Sequence, residues 1–245
     1  MVQAAPAGRH IFCEKPLALS VADCARMIAA ARTAGVHLCV GHGPRDRPVF
    51  DRMKAMIGEG VIGEPFARRV SRLGGWGAQA AWRQRRATCG GPRFEVNAHE
   101  LDDLPVLGEP ETVYATGAQI VLHSTDFAEA AFVSVRLRGG RHGLLHSSVA
   151  AGLGSCTGLL PGAEGPSVSR PGRAASTGCA STAPAARSAK WWPPTPPSAT
   201  SPTWARPART AARRLHGEDG RAMVAIAEAA VASMASGEAI RVAGA

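Results

Sequence analysis

Hydrophobic and polar positions over residues 10–40 follow two periods that indicate a strand, a helix and a second strand. Residues 10–13 and 36–40 are short runs rich in apolar, β-branched or aromatic side chains, as expected for buried strands. Between them, apolar side chains recur at three- and four-residue spacing, which predicts a helix over residues 20–34. Ser20 offers the N-cap, and Gly35 ends the helix. Because the connections are short, the two strands should lie parallel in one sheet.

Beyond a second helix predicted over residues 48–57, the pattern changes to that of a different sheet. Strands are predicted at residues 66–70, 112–119, 131–137 and 142–146. The last two form a hairpin through Gly139-Gly140. Two further helices are predicted, over residues 94–104 and 217–237. The fold class is therefore α/β followed by α+β, with a parallel sheet and then a domain whose sheet is mostly antiparallel.

Residues 151–215 interrupt this order. Ala, Pro, Ser, Arg, Gly and Thr occupy 53 of these 65 positions, and ten of the chain's 18 prolines fall here. Such a composition cannot bury enough apolar surface to offset backbone ordering, so disorder is expected. A natural proline-rich linker is one interpretation, and a frame-shifted stretch of coding sequence is the other and the favoured one.

The net positive charge of the chain is concentrated in residues 151–215. The net charge is +9, but residues 151–215 hold eight Lys and Arg against Glu164, which leaves +2 elsewhere. A nucleic-acid-binding face is therefore disfavoured. The six cysteines show no metal-binding spacing, so no metal site is expected. No signal peptide or membrane-spanning run is recognisable, so a cytoplasmic protein without a membrane partner is expected.

Two groups of residues could carry chemistry. Lys15, in the run Glu14-Lys15-Pro16, follows the first strand, where an ammonium at the sheet edge could stabilise a developing alkoxide. An ordinary exposed turn lysine is the alternative. His99 follows Glu95 by four positions, so on one helix the carboxylate would orient the ring and raise its pKa. A surface ion pair or a buried core histidine is the alternative there, and Asp102 is a second candidate to orient the ring.

These motifs resemble the Gfo/Idh/MocA oxidoreductases, the glucose-fructose oxidoreductase and inositol dehydrogenase family. The resemblance rests on the E-K-P run and on the stretch from Gly90-Gly91 to His99. It implies an NAD(P)-dependent dehydrogenase acting on a sugar, polyol or related secondary alcohol. It also implies that residues 1–62 are the C-terminal part of a Rossmann domain. Residues 63–245 would then form the substrate and oligomerisation domain.

The resemblance also implies roles for individual residues. Lys15, His99 and Glu95 would be catalytic, although the family usually has Asp where Glu95 stands. The cofactor would contact Glu14, Lys15, Pro16 and His42, and the substrate would contact Arg45, Trp82 and Arg83. NAD or NADP is the implied cofactor.

The glycine-rich dinucleotide fingerprint should precede the E-K-P run, but only thirteen residues stand before it. An N-terminally truncated enzyme that binds NAD or NADP poorly is therefore expected. The alternative is a non-catalytic remnant that still associates into a homo-oligomer through its antiparallel sheet.

Overall fold

The computed structural model describes residues 2–76, 80–164, 168–170 and 216–244. Its first part is the expected β-α-β unit. The elements are β1 Ile11–Cys13, α1 Val21–Thr33, β2 Leu38–Val40 and α2 Pro48–Gly58. The two strands are parallel, with Ile11 paired to Leu38. Ser20 caps α1, because its side chain accepts a 3.0 Å hydrogen bond from the Asp23 amide.

The second part is built on a seven-stranded mixed sheet. Its strands are β3 Ala67–Gly75, β4 Pro110–Ala118, β5 Ala130–Leu137, β6 His142–Ser148, β7 Ala150–Leu160, β8 Val168–Arg170 and β9 Ile240–Arg241. Their order across the sheet is β8-β7-β3-β6-β5-β4-β9. Only the β3–β6 pair is parallel. The predicted hairpin is the β5–β6 pair, and both Gly139 (φ 81°) and Gly140 (φ 79°) in its turn have the positive φ that glycine tolerates. The two-sheet fold class is confirmed.

The described residues of the second part also form the α-helices α3 Arg86–Cys89, α4 Pro92–Glu95, α5 Ala98–Asp103 and α6 Gly217–Ser236. Helix α6 ends at Gly237, as predicted, and packs against α1, β2, α5 and β4. Met223, Val224, Ile226 and Ala227 on it are fully or almost fully buried. One helix therefore contributes to the cores under both sheets.

The single helix predicted over residues 94–104 is wrong, because the chain breaks at Val96 and Asn97 into α4 and α5. Asn97 is completely buried, and its Oδ1 accepts a 2.9 Å hydrogen bond from Ser147 Oγ on β6. Its amide donates to the Pro92 carbonyl, five residues back, which closes the first helix. A contact with a distant strand thus overrides the local helical pattern.

The disorder predicted over residues 151–215 is wrong at its start. Residues 151–160 belong to β7, which pairs with β3 over Arg69–Leu73, and residues 168–170 form β8. Glycine and small polar residues in β7 are compatible with a strand here because a full-length partner strand satisfies their backbone groups. The remainder of the segment, residues 171–215, lies outside the described residues.

One face of the large sheet is covered by helices and the other is open. Val113, Val133 and Leu145 point to the covered face and are completely buried. On the open face, Tyr114 is 47%, Phe132 55% and Leu144 36% exposed. The Phe132 ring stacks on His146 of the neighbouring strand at 4.5 Å. The open face therefore carries an apolar patch. No helix within the described ranges is long and apolar enough to cross a membrane.

Candidate active site

The E-K-P run lies at the carboxyl end of β1 and reaches across to the second part of the chain. The Lys15–Pro16 peptide is cis. The Lys15 ammonium donates a hydrogen bond to the backbone carbonyl of Glu95, and its Nζ lies 3.8 Å from Glu95 Oε1. Because Glu95 ends α4, this contact ties the edge of the small sheet to the helices beneath the large one. The structure thus brings Lys15 and Glu95 together across 80 positions of sequence.

A cavity of about 280 Å³ lies at this junction and is lined in part by Lys15, Pro16, Trp82 and Glu95. Arg83 lies behind it, with its Nη2 2.9 Å from Glu95 Oε2 and its guanidinium over the Trp76 ring at 4.7 Å. Trp82 is 53% exposed at the cavity. Of the two predicted substrate contacts here, Trp82 faces the cavity and Arg83 holds the carboxylate.

The turn into α4 depends on glycine. Gly90 has φ 73°, and a Cβ added there would lie 2.5 Å from the Phe94 ring. Any side chain would therefore displace Phe94, which is buried. The Gly90-Gly91 pair thus sets the direction from which Glu95 enters the site.

The predicted Glu95–His99 pair is wrong. Glu95 is the last residue of α4 and His99 the second of α5, and the break between them puts the Glu95 carboxylate on Arg83 and Lys15 instead. Burial lowers the pKa of His99 to about 4, and Lys15, Arg72 and Arg47 push it in the same direction. His99 is therefore neutral at physiological pH and can accept a proton. The expected rise in its pKa does not occur.

His42 lies beside His99 rather than at an open cofactor surface. The two rings meet edge to face with centroids 6.2 Å apart, and His42 is completely buried. Burial lowers the pKa of His42 to about 3, and Arg45, His99 and Lys15 add to the effect while Asp219 opposes it. Its Nδ1 is 3.6 Å from Asp102 Oδ2. His42 thus lies close to both the Asp102 carboxylate and the ring of the candidate base.

Arg45 makes ion pairs with two acids on different helices. Its Nε and Nη2 donate to the two carboxylate oxygens of Asp102 at 2.7 Å each, and its Nη1 is 3.0 Å from Asp219 at the start of α6. Burial raises the pKa of Asp102 to about 6, although the guanidinium acts against the rise. Asp102 is therefore a partner of Arg45, not an orienter of His99. This geometry favours a positioning role for Arg45 over the substrate contact predicted for it.

Glu14 is exposed at the sheet edge, and its side chain lies close to the backbone of Gly41. A Cβ on Gly41, after β2, would lie 3.1 Å from Glu14 Oε2 and from the Phe12 ring.

The run Gly58-Glu59-Gly60-Val61-Ile62-Gly63 has the G-x-G-x-x-G spacing, but it follows helix α2 and precedes β3. A dinucleotide fingerprint follows a strand and opens a helix, so this run is not one. Among the described residues, no group of three or more His, Cys, Asp or Glu is placed to hold a metal.

Two family models match the chain in the order of its two sheets. Residues 1–42 match the model of an oxidoreductase family with an NAD-binding Rossmann fold, and residues 50–165 match the GFO/IDH/MocA C-terminal domain. The chain belongs to the Gfo/Idh/MocA oxidoreductase family. The resemblance seen in the sequence is thereby confirmed, and the family's N-terminal domain is NAD-binding.

Individual members of the Gfo/Idh/MocA family agree with this assignment. An uncharacterised oxidoreductase of Streptococcus pneumoniae is 32% identical over 67% of this chain and 47% of its own length. The 1,5-anhydro-D-fructose reductase of Ensifer adhaerens is 37% identical over 40% of this chain and 30% of its own. The chain thus spans between about a third and a half of these curated relatives. Among solved structures, GenD2 from gentamicin A biosynthesis, crystallised with NAD, has a TM-score of 0.76 at 23% identity, over 98% of this chain and 73% of GenD2.

Proposed function

We propose that this chain carries the substrate side of an NAD(P)-dependent dehydrogenase site for a sugar, polyol or related secondary alcohol. The observation that carries the proposal is the junction at which Lys15, Glu95 and Trp82 line one cavity, with the neutral His99 near enough for the Lys15 charge to lower its pKa. An unprotonated imidazole can take the hydroxyl proton and a cation can stabilise the alkoxide during oxidation of a secondary alcohol, while an aromatic ring offers a surface on which a sugar can pack.

In the proposed reaction His99 accepts the hydroxyl proton as the alcohol is oxidised. The Lys15 ammonium hydrogen-bonds the same oxygen and stabilises its alkoxide character, while Glu95 holds Lys15 in place through its backbone carbonyl and carboxylate. Arg83 holds the Glu95 carboxylate from the other side through an ion pair. Bound NAD or NADP supplies the hydride acceptor. His42 orients His99 by packing against its ring, and Arg45 ties Asp102 on α5 to Asp219 on α6.

The residues of this chain fit the nicotinamide end of a dinucleotide but not its pyrophosphate. Glu14, Lys15 and Pro16 stand at the carboxyl edge of a parallel sheet, where family members place the nicotinamide. The pyrophosphate requires a glycine loop between a strand and a helix, and the one run with that spacing lies elsewhere in the fold. We therefore expect the 245-residue chain by itself to bind NAD and NADP weakly.

The test compares the chain with a chimera in which the glycine-rich β-α-β segment of the Ensifer adhaerens reductase is joined before His10. We expect the chimera to bind NAD or NADP with a micromolar Kd, about 8 kcal/mol, and to reduce it when a sugar or polyol is supplied. Isothermal titration measures the first result and NADH or NADPH absorbance the second. A chimera that binds the dinucleotide but oxidises no sugar or polyol would rule out the proposed function. Micromolar binding by the chain alone would reveal a phosphate site within it.

The open sheet face supports a second candidate, homo-oligomer formation with or without catalysis. Tyr114, Phe132 and Leu144 form an apolar patch on the open face of the large sheet, and a second copy could cover it. We expect Phe132→Asp to shift the protein from dimer to monomer in sedimentation experiments, while Phe12→Asp, at an equally exposed phenylalanine on the small sheet, does not. A monomeric wild-type chain would contradict this proposal.

The cysteines bear on location. All five cysteines in the described ranges are free, which supports the proposed location in the reducing cytoplasm.

A further inference from the structure

The cavity between Lys15 and Trp82 has one charged region. Among the described side chains that line it, the charged ones are Lys15 and Glu95, with Lys15 Nζ 3.8 Å from Glu95 Oε1. An ammonium has three donors, and Lys15 gives one of them to the Glu95 carbonyl, so it keeps a donor for a substrate hydroxyl. The Glu95 carboxylate accepts from Arg83 and has further lone pairs for a second donor. Hydrogen bonds to a substrate are therefore concentrated in this region.

Hydrocarbon side chains make up another part of the lining. Pro16, Ala18 and Leu19, which follow β1, contribute to it, and Trp82 adds a ring that is 53% exposed. Ala18 and Leu19 also pack against the main hydrophobic core, which holds them in place from behind. A surface rich in C–H groups can pack here, whereas a hydroxyl placed against these side chains loses its water without gaining a partner.

The Thr88 and Cys89 side chains of the lining are already engaged. Thr88 Oγ1 donates its proton to a backbone carbonyl of its own loop. Cys89 Sγ donates to the Arg83 carbonyl at 3.4 Å and accepts from the Gly91 amide at 3.3 Å. Burial also raises the pKa of the Cys89 thiol, so it carries no charge at neutral pH. Neither side chain has a proton left to donate to a ligand.

We propose that the substrate of this site is a single sugar ring with an apolar edge, of the 6-deoxyhexose class. Its ring hydroxyls bind Lys15 and Glu95, and its methyl group packs on Ala18 and Leu19. The proposal rests on the proposed function, since it names the substrate class of the same site. The volume of about 280 Å³ lies just below the usual range of ligand pockets, about 300–1,000 Å³, which suits one ring better than an oligosaccharide or a nucleotide sugar.

The missing hydroxyl is the source of the preference. A hexose with a 6-hydroxyl must either place it unpaired against Ala18 and Leu19 or leave the hydrocarbon surface in water. A 6-deoxyhexose has a methyl group at that position, so it covers the apolar lining and keeps its ring hydroxyls for Lys15 and Glu95. Because the charges of Lys15 and Glu95 offset each other, the lining has no excess positive charge to attract an acidic sugar.

The test is direct binding of two matched pairs of sugars to the 245-residue protein by ligand-detected NMR. D-fucose is compared with D-galactose and D-quinovose with D-glucose, since each pair differs by the 6-hydroxyl alone. In the pair that binds more tightly, we expect the deoxy sugar to bind at least about fivefold better than its parent. Saturation transfer from the protein should be strongest at its methyl protons. Equal binding within both pairs, tighter binding of the parents, or no binding of any of these sugars would overturn the proposal.

Two substitutions place a polar group in the apolar lining. Leu19→Asn offers an amide to the 6-hydroxyl and should abolish the preference for the deoxy sugar. Ala18→Ser adds a single hydroxyl with little change in volume, and should lower the preference to less than about twofold even if Leu19→Asn fails to fold. Ile120→Asn, at a side chain that is 69% exposed between β4 and β5, is the matched control and should preserve it. A preference that survives in Ala18→Ser would also contradict the proposal.

These outcomes are separate from a failure of the dehydrogenase proposal, because binding to the chain alone involves no dinucleotide and no turnover. A chimera that oxidises sugars, with no preference for deoxy sugars in binding, would overturn the substrate class and leave the dehydrogenase proposal intact. A chimera that binds the dinucleotide and oxidises no sugar would overturn the dehydrogenase proposal, whatever the binding preference.

Discussion

Turnover by the chimera should fall by about 10²- to 10⁴-fold when His99 is replaced by Asn. Asparagine keeps a polar side chain of similar reach but cannot accept and release the hydroxyl proton. His99 is suited to that task because it is neutral, with a pKa lowered by burial, and because its ring packs against His42. Lys15→Met should cost about 10²- to 10³-fold, since it removes the charge that stabilises the alkoxide.

Steady-state rates with saturating sugar and cofactor give the comparison. His123→Asn is the matched control, since His123 is exposed on the β4–β5 connection and lies in none of the site contacts. If the His99→Asn chimera keeps more than about a tenth of the activity while it still binds cofactor, His99 is not the base. A pH profile that is unchanged in that variant would point to the same conclusion.

Arg45→Met should destabilise the protein by about 3–5 kcal/mol. The substitution keeps an unbranched stem of similar length but leaves Asp102, whose side chain is only 4% exposed, as a buried carboxylate without its guanidinium partner. It also removes the bridge that the Arg45 guanidinium forms between Asp102 on α5 and Asp219 on α6. Denaturant unfolding at neutral pH measures the loss.

The control is Arg52→Met, because Arg52 and Glu59 are 51% and 53% exposed and such pairs contribute less than about 1 kcal/mol. The Arg45→Met deficit should shrink on acidification, because Asp102, with a pKa already raised to about 6 by burial, then takes up a proton and loses its charge. Equal losses for the two variants, or a deficit that grows as the pH falls, would show that Asp102 does not depend on Arg45.

Elements specified by nearby residues were predictable from the sequence. The Ser20 cap of α1 depends on a hydrogen bond over three residues, and the β5–β6 hairpin depends on its two-glycine turn. The break in the helix predicted over residues 94–104 was not predictable in this way. It depends on a hydrogen bond between Asn97 and Ser147, which are fifty positions apart in the sequence. The residues near Asn97 do not reveal such a bond. The available hint was an Asn inside a predicted helix at a position where the pattern expects a buried apolar side chain.

The site shows the same division. The E-K-P run and the Gly90-Gly91 turn marked Lys15 and His99, but the contact between Lys15 and Glu95 was not predicted, because it joins residues 80 positions apart. The positioning partners of His99 were misassigned, because Asp102 pairs with Arg45 across 57 positions and the carboxylate of Glu95 turns to Arg83. The sequence offered one hint of this pair: Arg45 and Asp102 have opposite charges, and each lies next to a predicted active-site element.

Helix α6 makes the two stretches of described chain mutually dependent. The described residues up to 170 hold both strands of the small sheet and six of the seven strands of the large one, yet the side chains that close their cores, Met223, Val224 and Ile226, come from beyond residue 215. These side chains are held by packing, and the same stretch is tied to the rest by the β4–β9 pairing, by the hydrogen bond from the Ala115 amide to Ser233 and by the Arg45–Asp219 pair. The gene could therefore be divided between residues 171 and 215, and the short C-terminal peptide supplied separately should restore a folded protein to the longer fragment. Such a split pair would report association of the helix in living cells without any need for catalysis.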